Sequence, residues 1–374
     1  ALKAYQDAPS SKEALETIPL LKREDIKKEV EPLFIDVRKE ADVEIIFHEV
    51  PTNGIAYLKF LFDEQGMPAE YLPYLGLVSA VFAYVNTENY SYSELSDESN
   101  IYTGGIWGDS CSYQRKDDTK YYRPMFTVGT KFLYENAEKA TELIGEILLC
   151  SKFSDTKRLQ EILAELRSRL QMHMNSNGHS VAVQRCKSYF SQEGVFNEAI
   201  SGISFYRFVD DICKNFDAKK DEAIEKISWI FKELFTSGNL LISLTAEGDA
   251  YEGIAAAIKK LIAALPKTGA LGLHCEQVMY PYNPKNEGFR YAGQVQYAGL
   301  AANLLAEGGK KHSSMQVLRT ILAYDYLWNN VRVKGGAYGC MNNIYGLNGD
   351  ANFVSYRDPN LRETYEVYEK AAEY

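Results

Sequence analysis

Paired-cysteine motifs, long apolar runs and metal-binding histidine spacings are all missing from this chain of 374 residues, and each absence removes a class of protein. The six cysteines (Cys111, Cys150, Cys186, Cys213, Cys275 and Cys340) are scattered, with no C-x-x-C. At this length they read as free thiols of a reducing compartment, not as a disulfide framework. No apolar run is long enough for a transmembrane helix. The opening Ala1-Leu2-Lys3-Ala4-Tyr5 is neither a secretory signal nor a transit peptide. It also lacks an initiator methionine, which points to processing or to an excised fragment. A basic excess is missing too. A formal net charge of -10 argues against nucleic acid or an anionic membrane as the main partner. None of the five histidines (His48, His173, His179, His274 and His312) lies in H-x-x-E-H or H-E-x-x-H. A ligand set of His173, His179 and Glu165 is conceivable, but exposed polar residues near a helix end are the stronger reading. No metal is expected in this chain.

What is present fits an ordinary globular protein. The length exceeds the size at which one core stops growing, so two domains are expected. Residues 1–40 are charged and weakly periodic. Ser10 with Glu13 suggests a capping box opening a short helix, which Pro19 interrupts. The whole stretch reads as a linker or docking arm. Strands are expected at 43–50 and 55–62, around the turn Pro51-Thr52-Asn53-Gly54. Helices are expected at 72–85 and 92–102, and strands at 106–115 and 126–132. A helical block follows, with Asp155 as N-cap and breaks near 175–178 and at Gly194. A strand at 240–245 and a boundary at 266–272 close the first unit, 41–266. The second, 267–374, carries expected strands at 278–282 and 289–297 and a helix at 314–328. Further strands at 338–345 and 352–356 and a last helix at 361–374 complete it.

Both units therefore run strand, strand, helix, double glycine, strand, strand. Gly104-Gly105-Ile106-Trp107-Gly108 matches Gly335-Gly336-Ala337-Tyr338-Gly339 as G-G-x-aromatic-G, which indicates a duplication. The second copy stops inside a helix. A complete one would need roughly 100 more residues on the pattern of ordinary domains, so a C-terminally truncated chain is expected.

Two stretches carry a family resemblance. One runs from Leu327 through Arg332-Val333-Lys334-Gly335-Gly336-Ala337-Tyr338-Gly339 to Ser355-Tyr356-Arg357-Asp358-Pro359-Asn360-Leu361. The other runs from Tyr92-Ser93-Glu94-Leu95 to Tyr102-Thr103-Gly104-Gly105. Both resemble the presequence-protease branch of the insulinase- or pitrilysin-type zinc metallopeptidases, and specifically a C-terminal part of such an enzyme. The resemblance implies an α+β fold. It would be two copies of the metallopeptidase-type half-barrel, an antiparallel-rich sheet packed by helices, with the second copy truncated. It implies a clamshell enzyme whose N-terminal half carries the zinc on an inverted H-x-x-E-H motif, while this half closes over an unstructured peptide. The helix matching the zinc position by repeat, around Pro73-Tyr74-Leu75-Gly76-Leu77, has no ligand residues. This chain alone is therefore expected to be inactive and without cofactor.

In the resembled family an arginine and a tyrosine at the positions of Arg332 and Tyr338 reach across the chamber to the zinc site. A tyrosine hydroxyl can donate to an oxyanion, and an arginine can hold a carbonyl or carboxylate in fixed geometry. Gly335, Gly336 and Gly339 have two open readings: a tight turn or bulge, or close approach of a substrate strand. Trp107 stands where Tyr338 stands and has no hydroxyl, so it reads as packing. Arg357 and Asp358 are expected to pair locally. Asp210 with Asp211, and Glu161 with Glu165, read as solvated helix faces. Some of the 27 tyrosines are candidates to line a peptide chamber. The alternatives are a scaffold protein of the same fold and a stand-alone peptide-binding module. The compartment would be cytoplasmic in a bacterium, or a mitochondrial matrix or plastid stroma otherwise.

Overall fold

A computed structural model describes residues 2–30, 32–114, 121–281, 284–306, 308–310, 312–346 and 348–374. Residues 1–35 form one unit and 36–374 another. The first holds two short helices, α1 (Leu2–Asp7) and α2 (Lys12–Glu16). The cap of α2 is Ser11, one residue later than expected: its side chain accepts from the Ala14 N–H.

The second unit begins with β1 (Asp36–Glu40), inside the stretch read from sequence as arm, followed by β2 (Val43–Glu49) and β3 (Ile55–Asp63). Next come α3 (Leu72–Val81), α4 (Tyr92–Tyr102), β4 (Ile106–Gln114) and β5 (Tyr122–Leu133). Arg115, expected to end β4, lies outside the described residues. A helical layer follows: α5 (Ala137–Cys150), α6 (Thr156–Ser176), α7 (Gly178–Lys187), α8 (Gln192–Ser201), α9 (Ile203–Lys214) and α10 (Phe216–Leu234). β6 (Leu240–Ala246) and α11 (Tyr251–Ala264) complete the first fold.

Its sheet has the order β1-β2-β6-β3-β5-β4. Only the β2–β6 pair is parallel. β3 lies near the middle because alternate residues Ala56, Leu58, Phe60 and Phe62 give it one wholly buried face. α3 is apolar on nearly every side and is buried accordingly. α6 presents Leu159, Ile162, Leu163 and Leu166 to the core, and the Asp155 carboxylate caps it through the Arg158 N–H. Phe235 sits among Phe62, Phe82, Phe126 and Phe231, with ring centroids 5.0–6.3 Å away. Gly194 lies within α8 and does not break a helix. The break falls between α7 and α8, where Ser191 caps α8 through the Gly194 N–H.

The strands expected at 278–282 and 289–297 are absent among the described residues; Tyr282 lies outside them. Apart from one isolated bridge between Gln296 and Asp358, side chains hold this segment. The Gln192 carboxamide bonds both the N–H and the C=O of Tyr280, at 2.6 and 2.9 Å. Arg185 and Arg207 lie over the Phe289 ring, and Tyr291 packs on Tyr297.

The second fold has its own small core of Ala298, Leu322, Tyr326, Leu327, Val331, Ala337 and Tyr368. It comprises β7 (Gly299–Asn303), α12 (Ser314–Ile321), β8 (Gly339–Ile344), β9 (Asp350–Tyr356) and α13 (Arg362–Glu369). α12 continues as a π-helix over Leu322–Lys334, beyond the expected end at 328. Residues 370–372 are a single tight turn, so the last helix is shorter than expected. The sheet order is β7-β9-β8, all antiparallel. It repeats β3-β5-β4 strand for strand, and in both copies the helices lie between the first two strands in sequence. Gly105 and Gly336, the second glycines of the two doublets, both adopt positive φ, +100° and +80°.

Candidate functional site

Arg332 lies on the last turn of the π-helix, and Tyr338 follows the glycine turn that ends it. That turn is closed by two bonds back into the helix, Gly336 N–H to Arg332 C=O (2.9 Å) and Ala337 N–H to Val331 C=O (3.2 Å). A Cβ at Gly335 would stand 2.5 Å from the Val331 carbonyl oxygen, so the turn needs glycine there. The Gly335 carbonyl accepts from the Asn360 side chain. At Gly339 the surroundings are looser, with nothing closer than 3.7 Å to a built Cβ.

The two expected donors stand side by side. The Arg332 guanidinium lies over Trp328, 4.2 Å from the ring centroid, and 5.7 Å from the Tyr338 centroid. Stacking on Trp328, four residues back along the helix, holds the fork in place while leaving its N–H edge open. Tyr338 is 65% exposed. Neither the guanidinium nor the hydroxyl has a hydrogen-bond or ion-pair partner among the described residues.

Sequence reasoning missed the neighbours that extend this rim. Tyr338 meets Tyr356 edge-on at 5.8 Å, and Tyr356 meets His179 at 4.9 Å and Tyr297 at 5.8 Å. Arg357 and Asp358 do not pair with each other. Asp358 is buried and accepts from Thr364 Oγ1 (2.7 Å) and the Asn360 N–H (2.9 Å), while Arg357 lies over the Tyr356 ring. A buried carboxylate is better served by two local donors at the start of α13 than by one exposed arginine.

The other candidates fall apart as sites. His173 bonds Asn177, and Glu165 faces Arg169 at 3.9 Å. His179 is partly buried; burial, with His173 nearby, lowers its pKa. Asp210 pairs with Lys214, Asp211 with Lys219, and Glu161 with Arg158. All six cysteines are free, and burial pushes the Cys340 thiol up to about 12. Trp107 lies over Gly129 and is 46% exposed.

Zinc does not fit the repeat position that would hold it. α3 buries its residues there, and a Cβ at Gly76 would stand 2.5 Å from the Ile200 carbonyl and 2.6 Å from the Phe205 ring. Among the described residues no group of three or more His, Cys, Asp or Glu is disposed to hold a metal. No described helix is long and apolar enough to cross a membrane.

Comparison with known proteins agrees with this fold. The sequence profile for the domain associated with M16 peptidases of subfamily C matches residues 1–212, and that described as "PreP C-terminal domain" matches 286–374. Protein HypA of Clostridium perfringens is 35% identical over 373 residues, covering 100% of this chain and 38% of HypA. Presequence protease 1, chloroplastic/mitochondrial, of Arabidopsis thaliana is 26% identical over 375 residues, covering 100% of this chain and 34% of that protein. The chain thus spans little more than a third of the length of these relatives. The crystal structure of a peptidase M16 inactive domain from Pseudomonas fluorescens shares the α+β fold, with a TM-score of 0.60 at 14% identity. It covers 91% of this chain and 79% of that one. The chain belongs to the family of domains associated with subfamily C of the M16 peptidases, and its sequence corresponds to the C-terminal part of presequence-protease-like members.

Proposed function

We propose that this chain is the non-catalytic part of a zinc metalloendopeptidase that degrades unfolded peptides. It walls the substrate chamber and completes the active site from across it. The observation that carries the reading is the Arg332–Tyr338 pair: adjacent donors on an exposed rim, held in place and without protein partners among the described residues. A buried or paired arginine would point to structure. An open one beside a free phenol is arranged for a ligand.

In this reading the metal and its water belong to another part of the peptidase. Tyr338 donates its hydroxyl to the peptide carbonyl oxygen as that oxygen takes negative charge. Arg332 holds a neighbouring carbonyl or the terminal carboxylate with two parallel N–H donors. Gly335, Gly336 and Gly339 border the rim and keep it free of side chains, so that a peptide backbone can lie close.

The test is to mix the chain with a separately expressed zinc-bearing half and follow peptide cleavage. Arg332→Ala should lower kcat/KM by about 10²-fold, the scale of a lost charged contact that leaves its partner unpaired. Turnover that survives both Arg332→Ala and Tyr338→Phe removes the proposed roles.

A further inference from the structure

The stretch Ser355-Tyr356-Arg357-Asp358-Pro359-Asn360-Leu361 has no part in the chemistry assigned to Arg332 and Tyr338. Yet it lies against the glycine turn that joins them. Arg357 follows β9 with a φ of +48°. That left-handed region is costly for a residue with a side chain, and it persists only where the surroundings enforce it. The Arg357 carbonyl accepts from the Tyr338 N–H at 3.3 Å.

Asp358 then folds the chain back on itself. It is fully buried, and one carboxylate oxygen accepts from the Asn360 N–H two residues on, at 2.9 Å. The other accepts from Thr364 Oγ1 at 2.7 Å. Its backbone is bridged to Gln296 at 2.8 and 2.9 Å. The Asn360 carboxamide is thereby left facing the Gly335 carbonyl, to which it donates at 2.6 Å. Gly335 has no room for a side chain, and Gly336 follows it at positive φ. The turn thus has a support from outside at each end, Asn360 at its entry and the Arg357 carbonyl at Tyr338. Arg332 needs neither, because its helix and the Trp328 ring hold it. Tyr338 has no such anchor: its ring is mostly exposed and its hydroxyl is unbonded among the described residues, so the backbone behind it sets its place.

We propose that Asn360 is a positioning residue: its bond to the Gly335 carbonyl sets where Tyr338 stands relative to Arg332 and so aligns the phenol with the peptide carbonyl. A misplacement of about 1 Å is enough to cost on the order of 10²-fold in rate. Alignment as the purpose rests on the oxyanion role given to Tyr338 above; the hydrogen bonds do not.

A kinetic cycle tests this, with the chain mixed with the zinc-bearing half. Asn360→Ala should lower kcat at least about fivefold and leave KM within about twofold, because alignment of the donor matters only as charge develops. In a Tyr338→Phe background the same substitution should have no further effect, since the group it positions is gone. Thr364→Val removes a bond of the same network that does not reach the turn. It should lower the melting temperature and leave kcat at the parent value. In the chain alone, Asn360→Ala should quicken hydrogen exchange at the Gly336, Ala337 and Tyr338 amides and leave β9 unchanged. A parent kcat for Asn360→Ala beside an impaired Tyr338→Phe overturns the positioning role. So does a loss that persists in full in the Tyr338→Phe background, an equal loss in Thr364→Val, or unaltered exchange at the three amides. Full turnover in Tyr338→Phe itself overturns instead the reading beneath it.

Discussion

After its double glycine the first repeat sets Trp107 opposite Gly129, and the second sets Tyr338 beside Arg357. The strand order and the positive φ of the second glycine are the same in both. The facing residue differs, and so does the outcome. Against glycine, the indole lies flat over the backbone, with 46% of its surface still exposed. Against an arginine held over Tyr356, the phenol stands free with its hydroxyl open. In the reading proposed above, one turn lays an indole over backbone in one copy and serves ligand contact in the other, and two side chains, not the fold, decide the chemistry.

The copies also differ in how they are held together, and this can be broken experimentally. Phe235→Ala should cost about 3–5 kcal/mol, because it empties the centre of a five-ring cluster in the large core. Leu327→Ala in the small core of the second copy should cost about 2–5 kcal/mol, at the lower end if that core collapses around the gap. Urea unfolding measures both.

Glu64 sharpens the comparison further. In the first copy it lies buried beneath β4, where Ser110 donates to it at 2.7 Å. Burial raises its pKa well above the ordinary carboxylate value, and Asp63 and Asp109 push the same way. The folded state therefore keeps a proton that the unfolded chain releases. Stability falls as pH rises from the ordinary carboxylate pKa toward the raised one. Glu64→Gln removes that fall. Its urea midpoint should exceed that of the parent at pH 8 and converge with it near pH 4; parallel curves would show that Glu64 is not protonated. The smallest effect is at α4, where Ser91 and Glu94 form a capping box. Ser91→Ala should cost about 1 kcal/mol by thermal melting.

Much of this was legible in the sequence, and particular residues show why. α4 spans Tyr92–Tyr102, the range expected from sequence, and stops just before the double glycine. β3 was readable from its alternation. The segment 278–297 was not, because its aromatics read as strand formers and instead stack on arginines and one another across the chain. Gly194 misled because a glycine inside a helix is also explained by close packing: here the Lys187 carbonyl would stand 2.3 Å from a Cβ. Within the site, Arg332 and Tyr338 could be named from the motif. Trp328 carried a signal, its four-residue spacing from Arg332, that points to stacking. His179 and Tyr356 had none, since only the tertiary fold brings α7 against β9.

Parallel substitutions in the two copies test the central comparison most directly. Peptide cleavage is measured with the zinc-bearing half present, for Tyr338→Phe and for Trp107→Phe. Loss of one oxyanion donor should lower kcat by about 10²–10³-fold in Tyr338→Phe, with Trp107→Phe at the parent rate. Full turnover in Tyr338→Phe, or an equal loss in both variants, would contradict a catalytic role for the second repeat.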